Sequence, residues 1–204
     1  MSLTDTTPPT LTTGILLFDD AEELDYVGPW EVLTMARKKG DSVVTIAEKS
    51  EPVRSAKGLR VVPDHTFDDA PKLDVVLVPG GQGTRREVDN AALTGWLGKV
   101  AADATWVTSV CTGSFLLEAA GPAKGRRVTT HWAAIQELRD RAPDLTVVED
   151  ARWVVDGNVV TAAGVSAGID MALWLVGQLY DVAHARAVQR FIQYDPAPPY
   201  QFDE

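Results

Sequence analysis

Val107-Thr108-Ser109-Val110-Cys111-Thr112-Gly113-Ser114-Phe115 is the stretch on which the reading of this chain turns. Residues 105–110 are mostly β-branched and apolar, the pattern of a short buried strand. Residues 113–120 are small and apolar and read as the start of a packed helix. Cys111, the single cysteine in 204 residues, therefore falls on a sharp strand-to-helix turn. That is the geometry of a nucleophile elbow, with sulfur in place of the usual serine oxygen. The free amides of the helix N-terminus lie beside the side chain and favour a thiolate, so the reading predicts a low-pKa, oxidation-prone thiol. Gly113 lets the helix crowd the strand. A solitary cysteine in an arbitrary sequence is more often a small buried hydrophobe. Here the flanking strand, the glycine and the small residues turn the reading towards a nucleophile.

Outward from this stretch, apolar runs alternate with helical patterns. Residues 13–18 and 74–79 read as central strands, 42–47 as a second strand, and 53–62 as a hairpin turning at Lys57-Gly58. Residues 24–29 lead into a helix through Met35 and Arg37, with Pro29 in its first turn and Gly40 closing it. Residues 91–102 have helical spacing at Leu93, Leu97 and Val100. After the elbow come a helix ending near Pro143, short strands at 146–148 and 152–155, a turn at Asp156-Gly157-Asn158, and a strand at 159–162. An apolar helix over 169–180 and a last helix capped by Asp181 follow. This alternation predicts an α/β fold, a doubly wound, mainly parallel sheet with helices on both faces. Residues 1–12 read as a flexible N-terminal arm, and 13–204 as a single domain.

Composition narrows the function. The length suits one full core, and 45% hydrophobic residues is ordinary for a globular chain. A net charge of −10 argues against a nucleic-acid partner. No apolar run approaches a membrane span and no signal pattern opens the chain, so no membrane partner is expected. One cysteine excludes an internal disulfide and fits a reducing, cytoplasmic compartment. The three histidines and the cysteine do not approach metal-ligand spacing, so no metal is expected.

Sites in such sheets form beyond the carboxyl ends of the strands. Three turns fall there, after Phe18, Pro79 and Val110, and they carry Asp25, Gly80-Gly81 and Cys111. The glycine pair offers two backbone amides to a developing negative charge, although a plain tight turn has the same sequence. Asp25, between Leu24 and Tyr26, is either a carboxyl of raised pKa that shuttles a proton or a solvated helix cap. Thr112 either orients substrate or water, or holds its own turn. His131 is either a base for Cys111 or a structural histidine.

Taken together, Leu24-Asp25 with Gly28-Pro29, Pro79-Gly80-Gly81, residues 107–114, Thr129-Thr130-His131-Trp132, Gly164-Val165-Ser166-Ala167-Gly168-Ile169-Asp170 and Tyr194-Asp195-Pro196-Ala197-Pro198-Pro199 resemble the ThiJ/PfpI superfamily. The resemblance covers nearly the whole chain, and within the superfamily it is to the members that hydrate isocyanides. It implies a flavodoxin-like fold similar to a class I glutamine amidotransferase domain. It also implies a nucleophilic Cys111, an acidic Asp25 facing it and a supporting Thr112. The implied reaction converts a small-molecule isocyanide to an N-substituted formamide through a cysteine thioimidate, without metal or organic cofactor, in a homodimer. Protease-like members have histidine after the cysteine and many members have glutamate at the acidic position. Thr112 and Asp25 depart from both, as the hydrating members do. Regulators sharing the fold continue into a helix-turn-helix domain, whereas this chain stops at Glu204; the resemblance to the hydrating members implies an enzyme. Two alternatives stay open: a cofactor-independent glyoxalase or deglycase of the same superfamily, marked by methylglyoxal turnover, and a non-enzymatic redox or ligand sensor using Cys111.

Overall fold

The computed structural model describes residues 10–198. In chain order its elements are β1 (Thr12–Leu16), α1 (Glu23–Ala36), β2 (Ser42–Ala47), β3 (Val53–Arg54), β4 (Arg60–Val61), β5 (His65–Thr66), β6 (Val75–Val78), α2 (Thr84–Glu87), α3 (Ala91–Asp103), β7 (Trp106–Val110), α4 (Gly113–Ala120), β8 (Arg127–Val128), α5 (Ile135–Arg141), β9 (Thr146–Val147), β10 (Trp153–Asp156), β11 (Val159–Ala162), α6 (Ala167–Leu179) and α7 (Val182–Phe191).

The main sheet has seven strands in the order β10-β11-β7-β6-β1-β2-β5. All neighbours pair in parallel except β10, which lies antiparallel to β11. The five inner parallel strands, ranked by sequence, run 2-1-3-4-5, the flavodoxin-like order. Strand β6 is buried along its whole length, which is why it reads as a continuous Val-Val-Leu-Val run without alternation. The order reverses between β1 and β6, and β7 lies next to β6. The turns leaving these three adjacent strands therefore open at one place.

Close approach sets the elbow. A Cβ on Gly113 would lie 2.2 Å from the Val78 carbonyl oxygen, so only glycine lets α4 start so near β6. Asp181 caps α7 through the His184 amide, as expected from the sequence.

Several expectations need correction. Pro29 lies inside α1 and not in its first turn, because the helix already starts at Glu23. The ring removes one backbone donor there and leaves the Asp25 carbonyl without its helical partner. Strand β5 and helix α2 are too short to leave a periodic signal. Strand β1 starts at Thr12, where the arm was expected to end; residues 1–9 of that arm lie outside the described residues, as do 199–204 of the Pro-rich tail. The apolar helix over 169–180, in which the sequence offers more apolar surface than a small monomer needs to bury, turns that surface inward as α6. Its Met171, Ala172, Leu175 and Val176 are buried within the chain. The exposed apolar stripe is on α1 instead, at Leu24, Val27 and Trp30. Among the described residues, no helix is long and apolar enough to cross a membrane.

Candidate active site

Cys111 sits at φ 55°, a left-handed conformation that a non-glycine residue adopts only under constraint. The constraint is visible. Its amide donates to the carbonyls of Ala162 and Ala163, at 3.1 and 2.8 Å, beyond the end of β11. Its carbonyl accepts from Thr130 Oγ1 at 2.9 Å and Ser114 Oγ at 3.2 Å. Backbone contacts on both sides thus fix the turn and leave the side chain free to point at the cleft.

Asp25 comes from the first turn of α1 and is fully buried. Its Oδ2 accepts from the Gly80 amide at 2.8 Å. Oδ1 is buried with no hydrogen-bond partner. Burial drives the carboxyl pKa from 3.8 to about 7, with the Gly80 amide opposing; Glu22 pushes it further up, and Lys57 and the Cys111 thiol pull it down. A neutral carboxyl carries a proton to donate, and a donor facing sulfur would satisfy the orphaned oxygen.

The thiol behaves differently from the sequence expectation. Burial and the Asp25 charge push Cys111 up to about 12, against the amides of Thr112 and Gly81 and the Thr112 hydroxyl, which favour the thiolate. The helix N-terminus alone does not win at a site this dry. The two groups titrate as a pair. Once Asp25 holds the proton, its charge no longer opposes the thiolate.

Gly80 and Gly81 also differ from expectation. The Gly80 amide is engaged by Asp25, and the Gly81 amide donates to Thr112 Oγ1 at 3.0 Å. The Gly80 amide is thus taken up by Asp25, whereas the Gly81 amide serves both Thr112 Oγ1 and the Cys111 sulfur. Gly80 is needed for space: a Cβ there would lie 2.5 Å from the Thr112 nitrogen and 2.9 Å from Cys111 Cβ. The Thr112 hydroxyl belongs to a small cluster with Gly81 and Thr84, whose Oγ1 is 3.1 Å away.

His131 lines the same cleft but makes no hydrogen bond to the thiol. Its Nδ1 accepts from the Ala133 amide at 3.2 Å, capping the 3-10 turn Trp132–Ala134. That engagement puts the ring proton on Nε2 in the neutral form, so neither nitrogen offers Cys111 a free lone pair. The cleft, about 290 Å3, is lined by Glu22, Gln82, Arg85, Cys111, His131 and Val165 among others. Arg85 holds its rim, paired with Glu137 at 3.0 and 2.5 Å and set over the Phe115 ring. A second cavity, about 200 Å3, lies near the ends of β1 and β2 beside Glu48, Glu87 and Asn90, away from the thiol. Sequence reasoning named Cys111, Asp25 and Thr112, which the fold brings together, and missed Thr84, Thr130, Glu22 and Arg85. Strand-end position flags Glu22, and Thr130 lies in the 129–132 stretch that carries the resemblance; nothing local flags Thr84 or Arg85.

The sheet order, the strained cysteine after β7 and the carboxyl from α1 define a class. Residues 13–178 match the DJ-1/PfpI family, and the chain belongs to that family. Over 188 residues it is 42% identical to the isonitrile hydratase of Pseudomonas putida, an alignment covering 92% of this chain and 80% of that protein. It is 28% identical to the HTH-type transcriptional regulator GbdR of Pseudomonas aeruginosa over 89% of this chain and 50% of that protein. The crystal structure of a ThiJ/PfpI family protein from Pseudomonas syringae superposes with a TM-score of 0.88 at 34% identity, covering 94% of this chain and 78% of that one.

Proposed function

We propose that this chain is an isocyanide hydratase, with Cys111 as nucleophile and Asp25 as the proton carrier. The observation that carries the reading is the buried Asp25 carboxyl, with a pKa of about 7, beside the strained Cys111. The similarity to the Pseudomonas putida isonitrile hydratase supports the substrate class.

The chemistry balances with these two groups and one water. The Cys111 thiolate adds to the terminal isocyanide carbon while Asp25 gives that carbon its proton, leaving an N-substituted thioimidate and a carboxylate. Water then adds to the thioimidate carbon, and its proton passes by way of Asp25 to nitrogen. Asp25 takes the remaining hydroxyl proton as the carbonyl forms and sulfur leaves. The N-substituted formamide departs, and the acid–thiolate pair is restored. No amine is expelled, so no histidine acid is required. With Nδ1 engaged by the Ala133 amide and the proton on Nε2, His131 has no lone pair to take the thiol proton, which supports this over peptide cleavage by a cysteine–histidine pair.

The test compares an aryl isocyanide, methylglyoxal and a chromogenic peptide side by side. Formamide should form from the first, fastest of the three, with no peptide cleavage. Peptide hydrolysis, or methylglyoxal consumed faster than the isocyanide, would overturn the assignment.

We further propose a homodimer working in the reducing cytoplasm. Support for the dimer comes from Leu24, Val27 and Trp30, an apolar stripe of i, i+3 spacing exposed on α1. Light scattering at micromolar concentration should give twice the chain mass, and a monomer mass would contradict it. The single cysteine supports the compartment.

A further inference from the structure

We propose that the tip of the β3–β4 hairpin is a positioning element for the reaction, in which Lys57 and Glu22, paired at the rim of the cleft, set the charge felt by Asp25. The inference rests on reading Asp25 and Cys111 as the reacting pair, but not on the identity of the substrate.

The hairpin is latched to the segment that carries Asp25. The Ala56 amide donates to the Ala21 carbonyl at 2.9 Å, and Ser55 Oγ meets Tyr26 Oη at 2.6 Å. The Asp20 amide donates to the Arg54 carbonyl at 2.8 Å. At the tip, Lys57 grips α1's N-terminal end twice. Its amide donates to Glu23 Oε1 at 2.6 Å. Its ammonium pairs with Glu22 and lies 3.8 Å from Glu23 Oε2, an oxygen that is otherwise buried and unpartnered. Glu22 in turn lines the cleft that opens on Cys111, and its amide donates to the Gly80 carbonyl at 2.9 Å. The same Gly80 gives its own amide to Asp25. An exposed lysine is thereby held in one place, on a side of the molecule that would otherwise present two uncompensated carboxylates next to the buried acid.

The charged and titratable groups acting on Asp25 are Glu22 on its own segment, Lys57 from the hairpin and Cys111 from the elbow, with the Gly80 amide as a fixed dipole. Glu22 opposes ionisation of Asp25 and Lys57 favours it. The pair thus acts as a two-sided adjustment of when the Asp25–Cys111 couple gives up its first proton. Removing either side should displace that event in a known direction.

The experiment follows alkylation of Cys111 by iodoacetamide against pH, which needs no isocyanide. Its midpoint reports loss of the first proton from the couple. In Lys57→Gln the midpoint should rise, and in Glu22→Gln it should fall, each by about half a pH unit. A merely structural latch would not move the midpoint in opposite senses. Both midpoints staying at the wild-type value, or both moving the same way, would overturn the proposal. Opposite shifts in a protein that fails to make formamide would sink the hydratase reading and keep the tuning. Formamide production with unmoved midpoints would sink the tuning alone.

Discussion

Cys111→Ala should remove isocyanide turnover, by at least about 10³-fold, since loss of a nucleophile leaves only binding and proton handling. The substitution tests chemistry and not folding. The backbone at Cys111 is held by its amide on Ala162 and Ala163 and its carbonyl under Thr130 and Ser114, none of which uses sulfur. Alanine inherits the same positive φ and the same partners, so the thermal transition should stay close to that of the wild type. Measured formamide production and a thermal melt of the same preparation check both halves. Turnover within tenfold of the wild type would mean that water attacks the isocyanide directly and that the elbow serves another purpose.

The sequence carried this site to different depths for different residues. Strands β1, β6 and β7 were legible because strands buried on both faces need unbroken apolar runs. The start of α4 is legible because Gly113 and small apolar residues follow the strand. Strand β5, helix α2 and the start of α1 were not, since two to four residues show no period and a proline inside a helix looks like a helix start. The role of Gly80 lay out of reach because its amide meets an acceptor 55 residues away. Thr84 and Thr130 are ordinary threonines until packing hands each a partner. The thiol departs from its sequence reading for a related reason. A helix N-terminus can be read from sequence, but the depth of burial that outweighs it cannot. Asp25 is the reverse case: its apolar flanks, Leu24 and Tyr26, leave a desolvated carboxyl and a solvated cap both open, and its burial selects the first.

Asp25→Asn should lower turnover by about two orders of magnitude or more while stabilising the protein above neutral pH. Asparagine keeps the shape: its oxygen can accept from the Gly80 amide, as Oδ2 does now. It cannot carry a proton to the isocyanide carbon or take one from water, so both halves of the reaction slow. The stability effect follows from the raised pKa. The folded protein holds the Asp25 proton to about pH 7, whereas an unfolded aspartate releases it near 3.8. The protonated carboxyl therefore supports the fold fully below the unfolded value, and that contribution is lost as pH rises through about 7. For so deeply buried a group the loss is of the order of a few kcal/mol. The asparagine variant has no proton to lose there. Its Tm should therefore gain on that of the wild type by several degrees between pH 5 and pH 8. Turnover and melting curves at both pH values check the pair of effects together. Full activity in the variant, or Tm curves that run parallel across that range, would mean that Asp25 is only a cap for the Gly80 turn and that the proton in this reaction comes from elsewhere.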